Sequence, residues 1–219
     1  MTKGLFVSFE GVEGSGKSTQ MRRLANRLRQ MGFRVVENIE PGGTRIGKQI
    51  RSILLEAAHQ ELSATAELLL FFASRAQAVD ELILPALAQG QIVLSDRFTD
   101  STIAYQGGGR QLGWDVVLTL DRVACRGLKP SLTLCLDLDV EIGLQRARRR
   151  NAEEGQSETR LDDESLSFHR RVRAAYHRLV ELEPERVKLV DASRPLEEVE
   201  ETVWRLVEQQ LAGIQAGGC

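Results

Sequence analysis

The chain has little cysteine, little proline, few aromatic residues and almost no net charge, and each shortage excludes something. Its 219 residues include three cysteines. Cys125, Cys135 and Cys219 are odd in number, far apart and form no CxxC pair, which argues against a disulfide framework or a zinc site and fits a reducing compartment. Five prolines and 19 glycines are too few for a collagen-like or proline-rich chain. The formal charge is −2 and aromatic residues make up 5%, so no overall basic field points to nucleic acid as a partner. Long apolar runs are missing too. The N-terminal one stops at Glu10, too short for a signal peptide, and Leu68-Leu69-Leu70-Phe71-Phe72 falls far short of a membrane span. Hydrophobic residues at 42% and charged residues at 27% are globular proportions, enough for a real core. The expectation is one cytoplasmic domain over 1–219, with no membrane or nucleic-acid partner.

The hydrophobic period switches between solid apolar runs and about 3.6. Leu5-Phe6-Val7-Ser8-Phe9, 33–37, 92–94, 132–136 and 187–190 read as buried strands. Met21, Leu24, Ala25, Leu28 and Met31 recur at helical spacing, with Gly32 placed as a C-terminal cap. Further helices are predicted over 46–54, 62–89, 116–124, 141–150, 164–182 and 196–211, with Pro85 interrupting or kinking the long one. Gly107-Gly108-Gly109 reads as loop, 151–163 as a polar mobile loop, and 216–219 as a frayed end. Five strands alternating with helices predict a three-layer α/β fold: a five-stranded parallel sheet with helices on both faces and a short lid at about 147–163.

The strongest local signal is Gly11-Val12-Glu13-Gly14-Ser15-Gly16-Lys17-Ser18, which fits GxxxxGK[ST] between a strand and a helix. Glycines let successive backbone N–H groups curl toward phosphate oxygens, and the helix N-terminus adds favourable potential. Lys17 reaches the β- and γ-phosphates and the Ser18 hydroxyl ligates Mg²⁺. Such a loop binds ATP or GTP but does not name the acceptor. Ser95-Asp96-Arg97-Phe98 ends a strand, where open parallel sheets hold ligands. There Asp96 suits Mg²⁺ through water and Arg97 an acceptor phosphate; the alternative is a capping Asp with its ion-pair partner. Phe71 and Arg75 share a helix face, which suits a nucleobase, although the segment read alone better fits a core Phe beside a snorkelling Arg. Arg146, Arg148, Arg149 and Arg150 crowd one helix end. Some of that charge suits the helix dipole, and a triphosphate would neutralise the rest.

The segment from Asp96-Arg97-Phe98 through Tyr105-Gln106-Gly107-Gly108-Gly109 closely resembles the signature of bacterial thymidylate (dTMP) kinases, within the P-loop nucleoside monophosphate kinase superfamily. Glu40-Pro41-Gly42-Gly43-Thr44, Phe71-Phe72-Ala73-Ser74-Arg75 and Leu136-Asp137-Leu138-Asp139 with Glu141 and Arg146 resemble it as well, in the same order, from about Gly4 to Leu206. The resemblance implies phosphorylation of dTMP to dTDP with Mg-ATP by direct in-line transfer, in a homodimer using spare apolar residues of 62–84. It implies that Gly11 to Ser18, Thr19 and Arg146 bind ATP. Phe71 would stack on thymine and Arg75 would hydrogen-bond it, with Thr102 and Gln106 completing the base site. Tyr105 would crowd the sugar 2′ position and Glu13 would lie near the 3′-hydroxyl. Arg97 and Arg51 would hold the dTMP phosphate, Glu40 would belong to the substrate site, and Ser18 and Asp96 would serve the metal. Lys17, Asp96, Arg97 and lid arginines, Arg149 and Arg160 being the candidates, would act on the transferred group. Asp191-Ala192-Ser193-Arg194-Pro195 is either an adenine contact or a plain strand-to-helix turn. Ile39 stands where many bacterial members have Arg, which leaves the role of the Glu40 loop open. Other monophosphate or deoxynucleoside kinases on this fold, and a regulatory P-loop ATPase, are the alternatives.

Overall fold

The computed structural model describes residues 4–155 and 157–216, with side chains as far as Leu211; Cys219 and the rest of 217–219 lie outside it. Five strands, β1 (Leu5–Gly11), β2 (Val35–Ile39), β3 (Ile92–Asp96), β4 (Leu132–Asp137) and β5 (Val187–Asp191), form one parallel sheet in the order β2-β3-β1-β4-β5. Alternation along the strands sorts the core into layers. Leu5, Val7 and Phe9 of β1 and Leu132, Leu134 and Leu136 of β4 face α1 (Lys17–Gln30) and α9 (Leu196–Ala216), meeting Leu24, Leu28, Val203 and Trp204. Phe6 and Cys135 point to the other face, which is covered by α3 (Ala64–Ala78), α6 (Trp114–Cys125) and α8 (Leu166–Leu182). A sheet buried on both faces needs solid apolar strands, and these have them. The chain leaves β1 for one edge and later returns to its other side, so the crevice at the carboxyl ends of β1, β3 and β4 is the topological switch point.

The differences from the pattern have physical causes. β2 begins at Val35 rather than at 33, because Phe33 packs against the α1/α9 core while Val35 registers with Ile92. Pro85 does not break its helix. α3 widens into a π-helical stretch, Val79–Ile83, and resumes as α4 (Leu84–Ala88); the Leu84 N–H bonds back to the Val79 carbonyl, and Pro85 falls in a first turn where no N–H is needed. Gly107-Gly108-Gly109 is not loop. After the short α5 (Thr99–Thr102), a π-helix over Ile103–Gly109 contains it. The glycines are required by close packing: a Cβ on Gly108 would sit 2.9 Å from the Cβ of Ala175, and one on Gly109 2.6 Å from the Phe168 ring.

The 151–163 stretch is not simply a solvated loop. α7 (Val140–Glu154) extends into it, and Asn151, Arg160, Leu161 and Asp162 are buried. Its return is stitched to the end of α2 (Arg45–Leu55) by the Ala57 N–H to Ser157 O bond (3.0 Å) and the Arg160 N–H to Leu55 O bond (3.1 Å).

Candidate active site

The donor end is built from contiguous backbone. β1 ends at Gly11 (φ 132°), where a Cβ would lie 2.2 Å from the Leu136 carbonyl oxygen, and Gly14 (φ 64°) would bring one 2.1 Å from that of Gly143. Only glycine fits both places. Gly16 occupies the N-cap position of α1 with no side chain to cap the first turn, so those N–H groups are left for an anion. Val12 faces the core and the Ser15 hydroxyl closes the loop on the Val12 carbonyl at 2.9 Å. Lys17 Nζ donates to the carbonyls of Gly11 (3.2 Å) and Val12 (2.7 Å). Burial and the neighbouring Arg97 bring its pKa down to about 8, against the pull of Glu13, Asp96 and Glu10. The Ser18 hydroxyl donates directly to the Asp96 carboxylate.

That hydroxyl–carboxylate pair fits Mg²⁺, a hard cation that takes one or two protein oxygens and completes its shell with water and phosphate. Among the described residues no group of three or more His, Cys, Asp or Glu side chains gathers to hold a metal unaided.

The acceptor end is built from side chains of distant elements, centred on Arg97. Its backbone is left-handed (φ 74°), unusual for a residue with a Cβ. Three bonds hold it there: its N–H donates to Phe9 O (2.9 Å), its carbonyl accepts from the Ser95 hydroxyl (2.7 Å), and the next N–H, of Phe98, donates to Glu10 Oε1 (2.6 Å). The guanidinium reaches Glu13 Oε1 (2.8 Å), Gly11 O (3.2 Å), Ser101 Oγ (3.0 Å) and the hydroxyls of Tyr105 (3.2 Å) and Tyr176 (3.3 Å). Tyr105 OH in turn donates to Glu13 Oε1 at 2.6 Å. Burial alone would raise the Glu13 carboxyl, but Arg97, Lys17 and that hydroxyl hold it at about 2.

On α3, Arg75 lies one turn beyond Phe71, and both are buried. The Arg75 side chain is 1% exposed, and its Nε donates to Glu40 Oε2 (2.5 Å), Nη1 to Thr102 Oγ1 (2.9 Å) and Nη2 to Phe98 O (3.2 Å). Glu40, held also by Asn38 Nδ2 (3.3 Å), is thus the counter-ion that fixes Arg75, which gives the Glu40 loop a role although Ile39 precedes it. Gln106 Nε2 donates to Glu67 Oε1 (2.8 Å), and Arg51 bonds Pro41 O (2.8 Å) and Glu158.

A cavity of about 480 Å³ joins the two ends. Glu13, Gly14, Gly16, Lys17, Ser18 and Thr19 line its donor end, with Asp96 and Arg97 where the two ends meet; Glu40, Arg51, Phe71, Arg75, Thr102, Tyr105 and Gln106 line the acceptor end. Gly11, Val12 and Ser15 shape the loop from behind. Arg146 packs its Cβ toward Gly14, outside the lining. The structure corrects the lid candidates. Arg149 is 82% exposed and pairs with Glu153 one turn on, so it points away from the cavity. Arg160 is buried against Glu67 (2.7 Å) and donates to Leu54 O (2.5 Å), anchored to α2 and α3 rather than facing the P-loop. Arg150 lines the cavity instead, beside Asn151 and Asp162. At 191–195, Asp191 accepts from the Ser193 N–H (3.0 Å) and pairs with Arg194 (3.1 Å), a self-contained strand-to-helix turn.

Sequence reasoning passed over Glu10, Ser101 and Tyr176. Glu10 is fully buried behind Arg97 and accepts from Ser101, Phe98 N–H and Tyr176 OH; burial and the nearby Asp100 raise its carboxyl to about 8. A carboxylate between the apolar run of β1 and the first P-loop glycine was the available signal.

A family model described as thymidylate kinase matches residues 9–203. The chain is 50% identical to a thymidylate kinase of Pelobacter propionicus over 201 residues, covering 91% of this chain and 92% of that protein. It is 49% identical to one from Solidesulfovibrio magneticus, covering 94% of this chain and 100% of the other. The crystal structure of thymidylate kinase from Ehrlichia chaffeensis superposes with a TM-score of 0.75 at 29% identity, covering 94% of this chain and 99% of that one.

Proposed function

The chain belongs to the thymidylate kinase family and phosphorylates dTMP to dTDP with ATP, a step of dTTP biosynthesis; from that premise we propose how its residues divide the work. The P-loop amides and Lys17 hold the β- and γ-phosphates of ATP, with Arg146 along the donor nucleotide. Ser18 and Asp96 hold Mg²⁺, which when bound neutralises phosphate charge. At the acceptor end Phe71 stacks on thymine while Arg75, Thr102 and Gln106 bond its polar edge. Tyr105 closes the space at the sugar 2′ position, and Glu13, tied to Tyr105 and Arg97, faces the sugar. Arg97 and Arg51 take the dTMP phosphate.

One observation carries this reading. Lys17 Nζ and Arg97 Nη1 both donate to the Gly11 carbonyl oxygen, each at 3.2 Å. The donor-phosphate cation and the acceptor-phosphate cation therefore meet at one atom, and two phosphates that displace these bonds are brought end to end. An oxygen of the dTMP phosphate attacks the γ-phosphorus in line, the bond to the β-phosphate oxygen breaks, and ADP leaves. The protein contributes position and charge, and no covalent enzyme intermediate is needed. Arg150, on the lid side of the cavity, supplies further positive charge to the group in flight.

The protein is proposed to be a cytoplasmic homodimer. Ile46 and Ile53 of α2, Leu69 of α3 and Val116 and Val123 of α6 are exposed on three helices packed side by side, an apolar face that a second copy would cover. Cys125 and Cys135 are buried free thiols, as a reducing compartment allows, and among the described residues no helix is long and apolar enough to cross a membrane. The direct test is ADP formation from Mg-ATP with dTMP, dUMP, UMP, dCMP, AMP, GMP or no acceptor. Strongest stimulation by dTMP is expected. Preference for another monophosphate refutes the thymine pocket, and acceptor-independent hydrolysis refutes transfer itself.

A further inference from the structure

We propose that Glu67, buried on α3 one turn before Phe71, sets the orientation of the Gln106 amide and thereby makes the base site select an imide edge over an amino-pyrimidine edge. The inference rests on the reading of this end of the cavity as the base site. Glu67 is fully buried, yet three hydrogen bonds converge on it, from Gln106 Nε2 (2.8 Å) and from Arg110 Nε (3.1 Å) and Nη2 (2.9 Å), with Arg160 Nη2 in ion-pair range at 2.7 Å. Two guanidinium groups keep the carboxyl ionised; burial alone would raise it, but the bonds from Arg110 and Gln106 and the charge of Arg160 bring it below its ordinary value. Arg110 is held in turn by Glu164.

An ionised carboxylate only accepts hydrogen bonds. The Gln106 amide therefore turns its NH₂ to Glu67, and the group it keeps for the cavity it lines is a carbonyl, an acceptor. A thymine or uracil ring offers an N–H donor between two carbonyls on its pairing edge. A cytosine ring offers a bare nitrogen acceptor beside its amino group. A fixed carbonyl matches the first and repels the second. An amide free to rotate would serve either, so the share of the discrimination that Gln106 contributes resides in the charge behind it. This also gives Arg160 a purpose away from the phosphates: it helps keep Glu67 ionised. Burying such a cluster beside a ligand site is costly unless its charges are matched, and here the Gln106 and Arg110 donors bond Glu67 while Arg160 contributes as an ion pair.

The test compares kcat/KM for dTMP and for 5-methyl-dCMP, which differ only at the pairing edge, in the wild type, Glu67→Gln, Gln106→Leu, the double variant and Glu164→Gln. Melting temperatures are recorded alongside. The expected result is that Glu67→Gln lowers the dTMP to 5-methyl-dCMP ratio about tenfold, since its amide partner permits Gln106 to flip. Gln106→Leu lowers it comparably, the double variant lowers it no further, and Glu164→Gln leaves it unchanged. If Glu67→Gln does not fold, Glu67→Gln with Arg110→Gln removes the stranded charge and carries the same expectation. A wild type that discriminates, with a Glu67→Gln variant in which both substrates fall in proportion, overturns the inference and leaves the base site standing. A wild type that does not discriminate overturns both.

Discussion

In the proposed division of labour the two ends of the cavity do the same kind of work, holding a phosphate, by opposite means. The donor end is local: residues 11–18 form it from backbone N–H groups, glycine geometry and one lysine, and a Cβ at Gly11 or Gly14 would collide with neighbouring carbonyl oxygens. The acceptor end is a network. Arg97 just after the carboxyl end of β3 meets Glu13 of the P-loop, Tyr105 of the π-helix and Tyr176 of α8, while Arg75 of α3 meets Glu40 after β2 and Thr102 of α5. A triphosphate looks alike on every nucleotide, so a short backbone cradle suffices. Recognising one base, sugar and monophosphate takes directed side chains, and each buried charge among them needs its own partner.

The contrast is breakable by substitution, from the largest effect down. Lys17→Ala removes the cation at the centre of the donor end, and kcat should fall about a thousandfold in a coupled ADP assay, with the melting temperature little changed. Arg97→Lys keeps the charge but loses the fork that engages Glu13, Ser101 and both tyrosines at once; a loss of about a hundredfold in kcat/KM for dTMP is expected, and full activity would show that a point charge is enough. Glu40→Gln strips the counter-ion from a guanidinium that is 1% exposed. Breaking such a pair costs about 3–5 kcal/mol, so both thermal stability and dTMP affinity should drop while the KM for ATP holds.

A smaller effect concerns pH. The folded-state pKa of Glu10, about 8, lies above its ordinary 4.5, so its contribution to stability is full below pH 4.5 and is lost as pH rises to 8, because the unfolded chain ionises first. Thermal melts between pH 5 and 8 should therefore slope downward in the wild type and less steeply in Glu10→Gln; equal slopes would show that Glu10 ionises normally. The smallest effect is expected of Arg149→Ala. It pairs with Glu153 on the same exposed helix face, and activity should stay within about twofold.

What was legible in the sequence follows the same division. The P-loop, the five strands and the caps of α1 are short-range features, visible in spacing and glycine placement. The Arg75–Glu40 pair joins residues 35 positions apart and the Glu67 cluster spans more than 90 (67 to 160), distances over which no local period reports. Gly107-Gly108-Gly109 misled because glycine usually breaks helices, whereas here the close approach of Phe168 and Ala175 demands it. The resemblance offers Arg160 as a lid candidate because nothing in its local sequence shows that it is buried against α2 and α3. The resemblance supplied the roles of Phe71, Arg75 and Tyr105, but not the partners that hold them.

The separation of the two ends is tested most directly by calorimetric titration of dTMP and of Mg-ATP into the wild type and Phe71→Leu, a change that keeps an apolar side chain while removing the ring. A dTMP affinity lowered about tenfold or more, with Mg-ATP affinity unchanged, is the expected result. Equal weakening of both nucleotides, or dTMP binding that ignores the substitution, would contradict it.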